Sequence, residues 1–188
     1  MPASLTKEEA AERRAKVLGA ARWCFLNFGF AKTSLDDIAK RADISRTLLY
    51  RTFKNKDDVY RAVFVDWLVS RHPAAKQAAK GPGRPAERLF GVCRLMAIEP
   101  WAEMVGAPMG GEFLDACGRI DPEIDALHRK VALECVAAIV GDEASAEVFL
   151  LALDGLLADQ PSTDVLERRT RVLAERFAPK PTKKAVKS

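Results

Sequence analysis

Between residues 46 and 54 the chain reads RTLLYRTFK, and two kinds of side chain alternate there in a helical rhythm. Leu49 and Phe53 are four residues apart, so on a helix they share one face, and Arg46, Thr47, Tyr50, Arg51 and Lys54 project from the rest. That outer face has the chemistry to hold duplex DNA. An arginine fork matches O6 and N7 of guanine in the major groove, Thr and Tyr hydroxyls reach phosphates or base edges, and Leu48 can meet a thymine methyl. Lys56 follows in the first turn of another helix, where a cation is disfavoured by the positive end of the helix dipole. A phosphate bound at that helix start would relieve it.

The elements that must position these side chains announce themselves through their caps. Ser34 with Asp37 three positions on makes a capping box, so a helix starts at Leu35, with Leu35, Ile38, Ala39 and Ala42 as its apolar stripe. The stripe stops at Asp43, a residue that tolerates the left-handed turn better than most, and Ser45 caps the next helix. Asn55, with Asp58 three positions on, caps a third. Two short helices meeting at a tight turn, with a third directly after, is the layout of a helix-turn-helix DNA-binding unit. Upstream, Thr6 and Glu9 form another capping box. Val17, Ala21, Phe25 and Phe28 then repeat at helical spacing, and Gly29 is placed to end that helix over the unit's small core.

Over about residues 16–64 the chain resembles the TetR (tetracycline-repressor-like) family of one-component transcriptional regulators. The resemblance is carried by Val17-Leu18, Ala20-Ala21, Phe25 and Gly29-Phe30, then by Thr33-Ser34, Asp37-Ile38-Ala39, Ala42, Ile44-Ser45, Leu49-Tyr50, Phe53 and Lys56. It implies phosphate contacts at Thr33, Tyr50 and Lys56, and a major-groove face made by Ser45, Arg46, Thr47 and Leu48 with Arg51. With Ser34 and Lys54 these complete the expected DNA-binding set. The chain departs from the family pattern at Asp43, where Gly is usual, at Thr47 and Leu48, where small residues are common, and at Thr52, where Tyr or His is frequent. These departures bear on the operator sequence and one phosphate contact, not on the architecture.

Charge agrees in sign with a DNA-binding N-terminus. Residues 1–60 hold twelve Lys/Arg against eight Asp/Glu, residues 61–178 fourteen against eighteen, and residues 179–188 four Lys with no acid, so the overall +4 hides two parts of opposite sign. The start of the chain is polar and acidic, and no run of 18 or more apolar residues occurs, so a cytoplasmic protein without a membrane partner is expected. Cys24, Cys93, Cys117 and Cys135 are isolated from one another, and His72 and His128 are the only histidines. Buried free thiols are therefore expected, and neither a metal nor a cofactor.

Beyond Phe64 the pattern stays helical, giving an all-α fold. A helix from Asp57 to about Arg71 links the DNA-binding unit to the rest. Lys80 to Pro85 is a loop, and Pro85 or Ala86 opens a helix with Leu89, Val92, Cys93 and Met96 inward. From Ile98 to Gly118 the helices are short and interrupted by Pro100, Pro108, Gly110 and Gly111. Trp101, Met104, Met109, Phe113 and Cys117 there, with Trp67 and Met96, are the expected lining of a pocket for a small, mainly apolar ligand. The resemblance, in which the C-terminal domain commonly binds an inducer, supports that expectation. Helices over 121–140, 145–158 and 163–177 follow. The second is apolar nearly all round, which calls for burial on more than one side. Phe149, Leu150, Leu153 and Leu157, with Leu166, Arg169, Val172 and Leu173 of the last helix, are the expected homodimer interface.

The sequence thus divides into a DNA-binding domain over 1–56, a ligand-binding and dimerisation domain over 57–178, and a disordered basic tail over 179–188. The function expected is a repressor that binds a palindromic operator as a homodimer and leaves it when a small-molecule effector binds. A DNA-binding regulator without small-molecule input is the alternative. Asp115, Asp121, Glu123, Asp125 and His128 form an acidic cluster that raises an enzyme reading. No nucleophile elbow, Gly-rich phosphate loop or metal-ligand spacing accompanies it, so no catalytic residue is assigned.

Overall fold

The computed structural model describes residues 6–179; the side chains of residues 114, 117, 118 and 120 are also outside the description. The expected basic tail beyond residue 179 and the Cys117 side chain therefore lie outside the described residues. Every regular element among the described residues is helical. In chain order these are α1 (Lys7–Lys32), α2 (Leu35–Arg41), α3 (Arg46–Thr52), α4 (Lys56–Phe64), α5 (His72–Lys80), α6 (Pro85–Cys93), α7 (Glu99–Met104), α8 (Gly110–Ile120), α9 (Pro122–Val140), α10 (Glu143–Gly155) and α11 (Thr163–Phe177). No helix among them is long and apolar enough to cross a membrane.

Three expectations about helix ends change. Gly29 takes φ +81°, and the chain kinks there, but a further turn of helix carries α1 on to Lys32. The single helix expected from Asp57 to Arg71 is instead α4 running into a wider π-helical turn at Val65–Val69, and the next helix starts at His72 with Pro73 in its first turn. A second π-helical turn, Arg94–Ile98, follows α6. The expected start of α10 at Ser145 moves to Glu143, because Asp142 is the cap and its carboxylate accepts the Ser145 N–H at 2.7 Å.

Among the described residues the chain forms two compact units, residues 6–70 with 103–126 and residues 71–102 with 127–179. The core of the first is aromatic. Tyr60 packs against Phe25, Phe30, Phe64 and Phe113, and Trp67 against Phe64 and Phe113, with ring centroids 4.6–5.8 Å apart through the cluster. Tyr60 is fully buried, so its hydroxyl needs a partner, and it donates to the Phe113 carbonyl at 2.7 Å.

Residues 103–126 are fastened to the N-terminal helices at several further points. The Met109 N–H donates to the Leu26 carbonyl at 2.9 Å, and the Phe30 N–H to the Glu112 carboxylate at 3.2 Å. Arg61 pairs with Asp121 at 3.0 Å. Glu103 takes Arg22 at 2.9 Å and the Trp67 indole N–H at 3.0 Å. The compact units thus divide the chain elsewhere than at the expected boundary after residue 56.

In the second unit, α5, α6, α9, α10 and α11 surround a core that includes Leu89, Val92, Cys93, Val136, Ile139, Phe149 and Leu153. Burial pushes the Cys93 thiol up to about 12, so it stays protonated and acts as a small apolar group.

Candidate nucleic-acid interface

The turn between α2 and α3 is built by local hydrogen bonds. Ser34 Oγ accepts the Asp37 N–H at 3.2 Å while the Asp37 carboxylate accepts the Ser34 N–H at 2.9 Å, closing the expected capping box. The Ser34 hydroxyl, followed by its N–H, holds the Asp37 carboxyl below the ordinary carboxylate range. Asp43 takes φ +52° at the turn, the left-handed conformation expected of it. Ser45 Oγ then accepts the Leu48 N–H at 3.2 Å, and Asn55 Oδ1 accepts the Asp58 N–H at 2.8 Å.

Behind this turn Ile38, Ala39, Ala42, Leu49 and Phe53 are buried. Arg46, Thr47, Tyr50, Arg51 and Lys54 are exposed on α3 and just beyond it, as are the caps Ser34 and Ser45, and Leu48 is half-buried. Arg46 pairs with Asp36 of α2. That contact occupies one edge of the guanidinium and leaves other N–H groups for a base or phosphate.

Two members of the expected set sit differently from the rest. Thr33 is buried, and its hydroxyl donates to the Gly29 carbonyl at 2.7 Å, so in the free chain it closes the end of α1. Lys56 Nζ donates to the Phe30 carbonyl at 2.6 Å and stands 4.4 Å from the Phe30 ring centroid. The cation expected to need a phosphate is already relieved by the negative, carbonyl-bearing end of α1. A tie across 26 residues of sequence left no local trace in the composition around Lys56.

The expected pocket residues do not gather in one unit. Trp67, Met104, Met109 and Phe113 belong to the first, with Trp67 and Phe113 packed ring to ring, whereas Met96 and Trp101 belong to the second. The Trp101 indole N–H donates to the Pro161 carbonyl at 2.9 Å. Of the expected dimer residues, Phe149, Leu150, Leu153 and Leu166 are buried within their own unit, and Leu157, Arg169 and Leu173 are half-buried. Arg169 makes a two-pronged pair with Asp159 at 2.7 and 2.8 Å. The large apolar side chains exposed on α10 and α11 are Val148, Leu151 and Val172.

Sequence reasoning missed Glu103, Glu112 and the pairing of the two histidines. His72 Nε2 lies 3.1 Å from His128 Nδ1, and His128 Nε2 lies 3.1 Å from the Met96 carbonyl. Nothing in the sequence signals that contact, because 56 residues separate the pair.

Residues 17–63 match the family model described as bacterial regulatory proteins, tetR family. The chain is 39% identical over 125 residues to the HTH-type transcriptional regulator TtgR of Pseudomonas putida, a match covering 66% of this chain and 53% of TtgR. The chain thus spans about half the length of the curated relatives it matches. Among solved structures, a TetR-family regulator from Mesorhizobium loti is similar with a TM-score of 0.69 at 17% identity, over 92% of this chain and 97% of that one. SmeT, solved as a triclosan complex, is similar with a TM-score of 0.61 at 19% identity, over 88% of this chain and 90% of SmeT.

Proposed function

This chain belongs to the TetR family of bacterial regulatory proteins, and we propose that it works as a cytoplasmic repressor, binding a palindromic DNA operator as a homodimer and leaving it when a small, mainly apolar ligand binds. The observation that carries the DNA-binding part is the Ser45-capped helix α3, which buries Leu49 and exposes Arg46, Thr47, Tyr50 and Arg51 together. Val148, Leu151 and Val172, exposed on α10 and α11, support a two-fold interface between copies, since apolar side chains on neighbouring helices gain from mutual burial. The triclosan bound by SmeT supports a small-molecule input.

The mechanism follows from spacing. A dimer presents two copies of α3, and both enter successive major grooves only when about 34 Å apart. A ligand that favours a conformer with another spacing lowers operator affinity, because only differential affinity shifts the balance. A factor of roughly 100 in DNA affinity needs about 2.7 kcal/mol of coupling. The helix α4 and its π-helical turn are the lever in this proposal. Glu103 supports that role by tying Trp67 of the turn to Arg22 of α1, so a shift at Trp67 is felt by the helix that roofs the DNA-binding core.

Selection of bound fragments from random duplex DNA tests the reading. The expected result is an inverted repeat whose half-sites are about one helical turn apart. Fragments without any shared sequence would overturn it.

A further inference from the structure

The reading helix has two flanks, and on the second the expected DNA-binding set places the apolar Leu48, which cannot hold a phosphate. At about 100° per residue, Tyr50 projects to one side of the buried Leu49 direction, while Leu48 and Thr52 project to the other. A helix lying in a major groove about 12 Å wide has a sugar–phosphate strand along each side. Tyr50, exposed and bearing a hydroxyl, serves the first side. On the second side the surface is completed by α1, not by α3.

A cleft of about 240 Å³ runs there, with Arg13, Arg14 and Val17 of α1 on one wall and Ile44, Leu48 and Thr52 on the other. Its lining is mostly apolar, with Arg13 and Arg14 as the two cationic residues. Arg14 is held by the aromatic end of α3, its guanidinium carbon 5.3 Å from the Phe53 ring centroid. The neighbouring charges are mixed: Glu9, Glu12, Lys16 and Asp43 line the adjoining cleft with Arg13. Glu9 accepts the Thr6 N–H at 2.8 Å in the α1 capping box, and Lys16 lies 3.8 Å from Asp43. The Thr52 hydroxyl donates to the Leu48 carbonyl at 2.9 Å, so its proton is committed within the helix.

We propose that Arg13 and Arg14 bind the sugar–phosphate backbone of the operator strand that borders the Leu48–Thr52 flank of α3. A mostly apolar lining suits the carbon face of deoxyribose, and an arginine fork matches phosphate oxygens two at a time. The cleft is continuous with the reading face through Leu48, which belongs to both. The two flanks then divide the work: Tyr50 meets one strand, and the α1 arginines meet the other. Phosphate contacts fix register without reading sequence, so the pair sets affinity and orientation, not base preference.

This inference rests on the DNA-binding role proposed above, and one titration separates their failures. The full chain is bound to a duplex it has selected from a random pool, and affinity is followed by fluorescence anisotropy from about 50 to about 200 mM salt. Arg13→Gln and Arg14→Gln are each expected to lower the slope of log K against log salt by about one, and the double variant by about two. The selected sequence should not change. Arg14→Lys, which keeps the charge, should keep the slope, and Arg13→Gln leaves the Phe53 contact intact should loss of Arg14 disturb folding. A double variant with an unaltered melting temperature and the parent's slope overturns the inference while leaving DNA binding standing. A parent chain that retains no duplex overturns both.

Discussion

Arg46 and Lys56 are both cations beside the reading helix, yet their removal should have different consequences. Arg46 and Arg51 are exposed on α3, the helix proposed to meet base edges, so Arg46→Ala or Arg51→Ala is expected to relax base preference, with about 1–3 kcal/mol lost at the cognate position. Lys56 carries no base contact in this account. It anchors the end of α1 through the Phe30 carbonyl, so Lys56→Ala should weaken binding to all sequences alike and also lower stability, by about 1.5–3 kcal/mol for a charged hydrogen bond. Binding arrays over single-base variants of the selected site, paired with urea melts, separate the two; equal loss of preference in both variants would contradict the assignment.

The His72–His128 pair makes stability sensitive to acid. The Met96 carbonyl can only accept, so His128 Nε2 carries the proton there, and a neutral His128 then accepts the His72 Nε2–H at Nδ1. Burial first, then His128 and Lys76, hold His72 below its ordinary 6.5. A histidine kept neutral by folding contributes its stability fully above the unfolded value of 6.5 and loses it as pH falls below that value. Urea midpoints should therefore decline from pH 6.5 downward, and His72→Gln should flatten that decline.

At the scale of elements, the test is the kink in α1. Gly29 has φ +81°, and a Cβ there would stand 2.9 Å from Met109 Cε and 3.0 Å from a Glu112 carboxylate oxygen. Gly29→Ala is expected to cost on the order of 1–3 kcal/mol in a denaturant melt, chiefly from backbone strain at positive φ, while the ends of the Met109 and Glu112 side chains move aside. A neutral result would mean that the kink carries no strain against a side chain.

Ser34 with Asp37, Ser45, and Asn55 with Asp58 were legible in the sequence alone because a cap satisfies backbone groups within three residues of itself. The last helix, Thr163–Phe177, was bounded as the structure has it. The π-helical turns at Val65–Val69 and Arg94–Ile98 were not legible, since a widened turn keeps the composition of an ordinary helix. Nor was the division of α10. A helix apolar on nearly every side carries no phase to tell Phe149 and Leu153, which fill their own unit, from Val148 and Leu151, which remain exposed. Long-range ties such as Glu103 to Arg22 and Trp67, or His72 to His128, depend on which helices meet, and no local pattern records that.

For the molecule as a whole, pairing and DNA binding are one proposal, because a single α3 offers only half of an inverted repeat. Leu151 is 63% exposed on α10, so Leu151→Glu should leave the fold intact and put charge into the face proposed to meet a second copy. The variant is expected to sediment as a single chain and to bind the operator far more weakly. The most direct measurement is the stoichiometry of the unsubstituted chain on its selected duplex, by sedimentation at low salt. Two chains per inverted repeat, one α3 for each half-site, is the result this account requires; a chain that sediments alone and leaves the duplex unbound would contradict it.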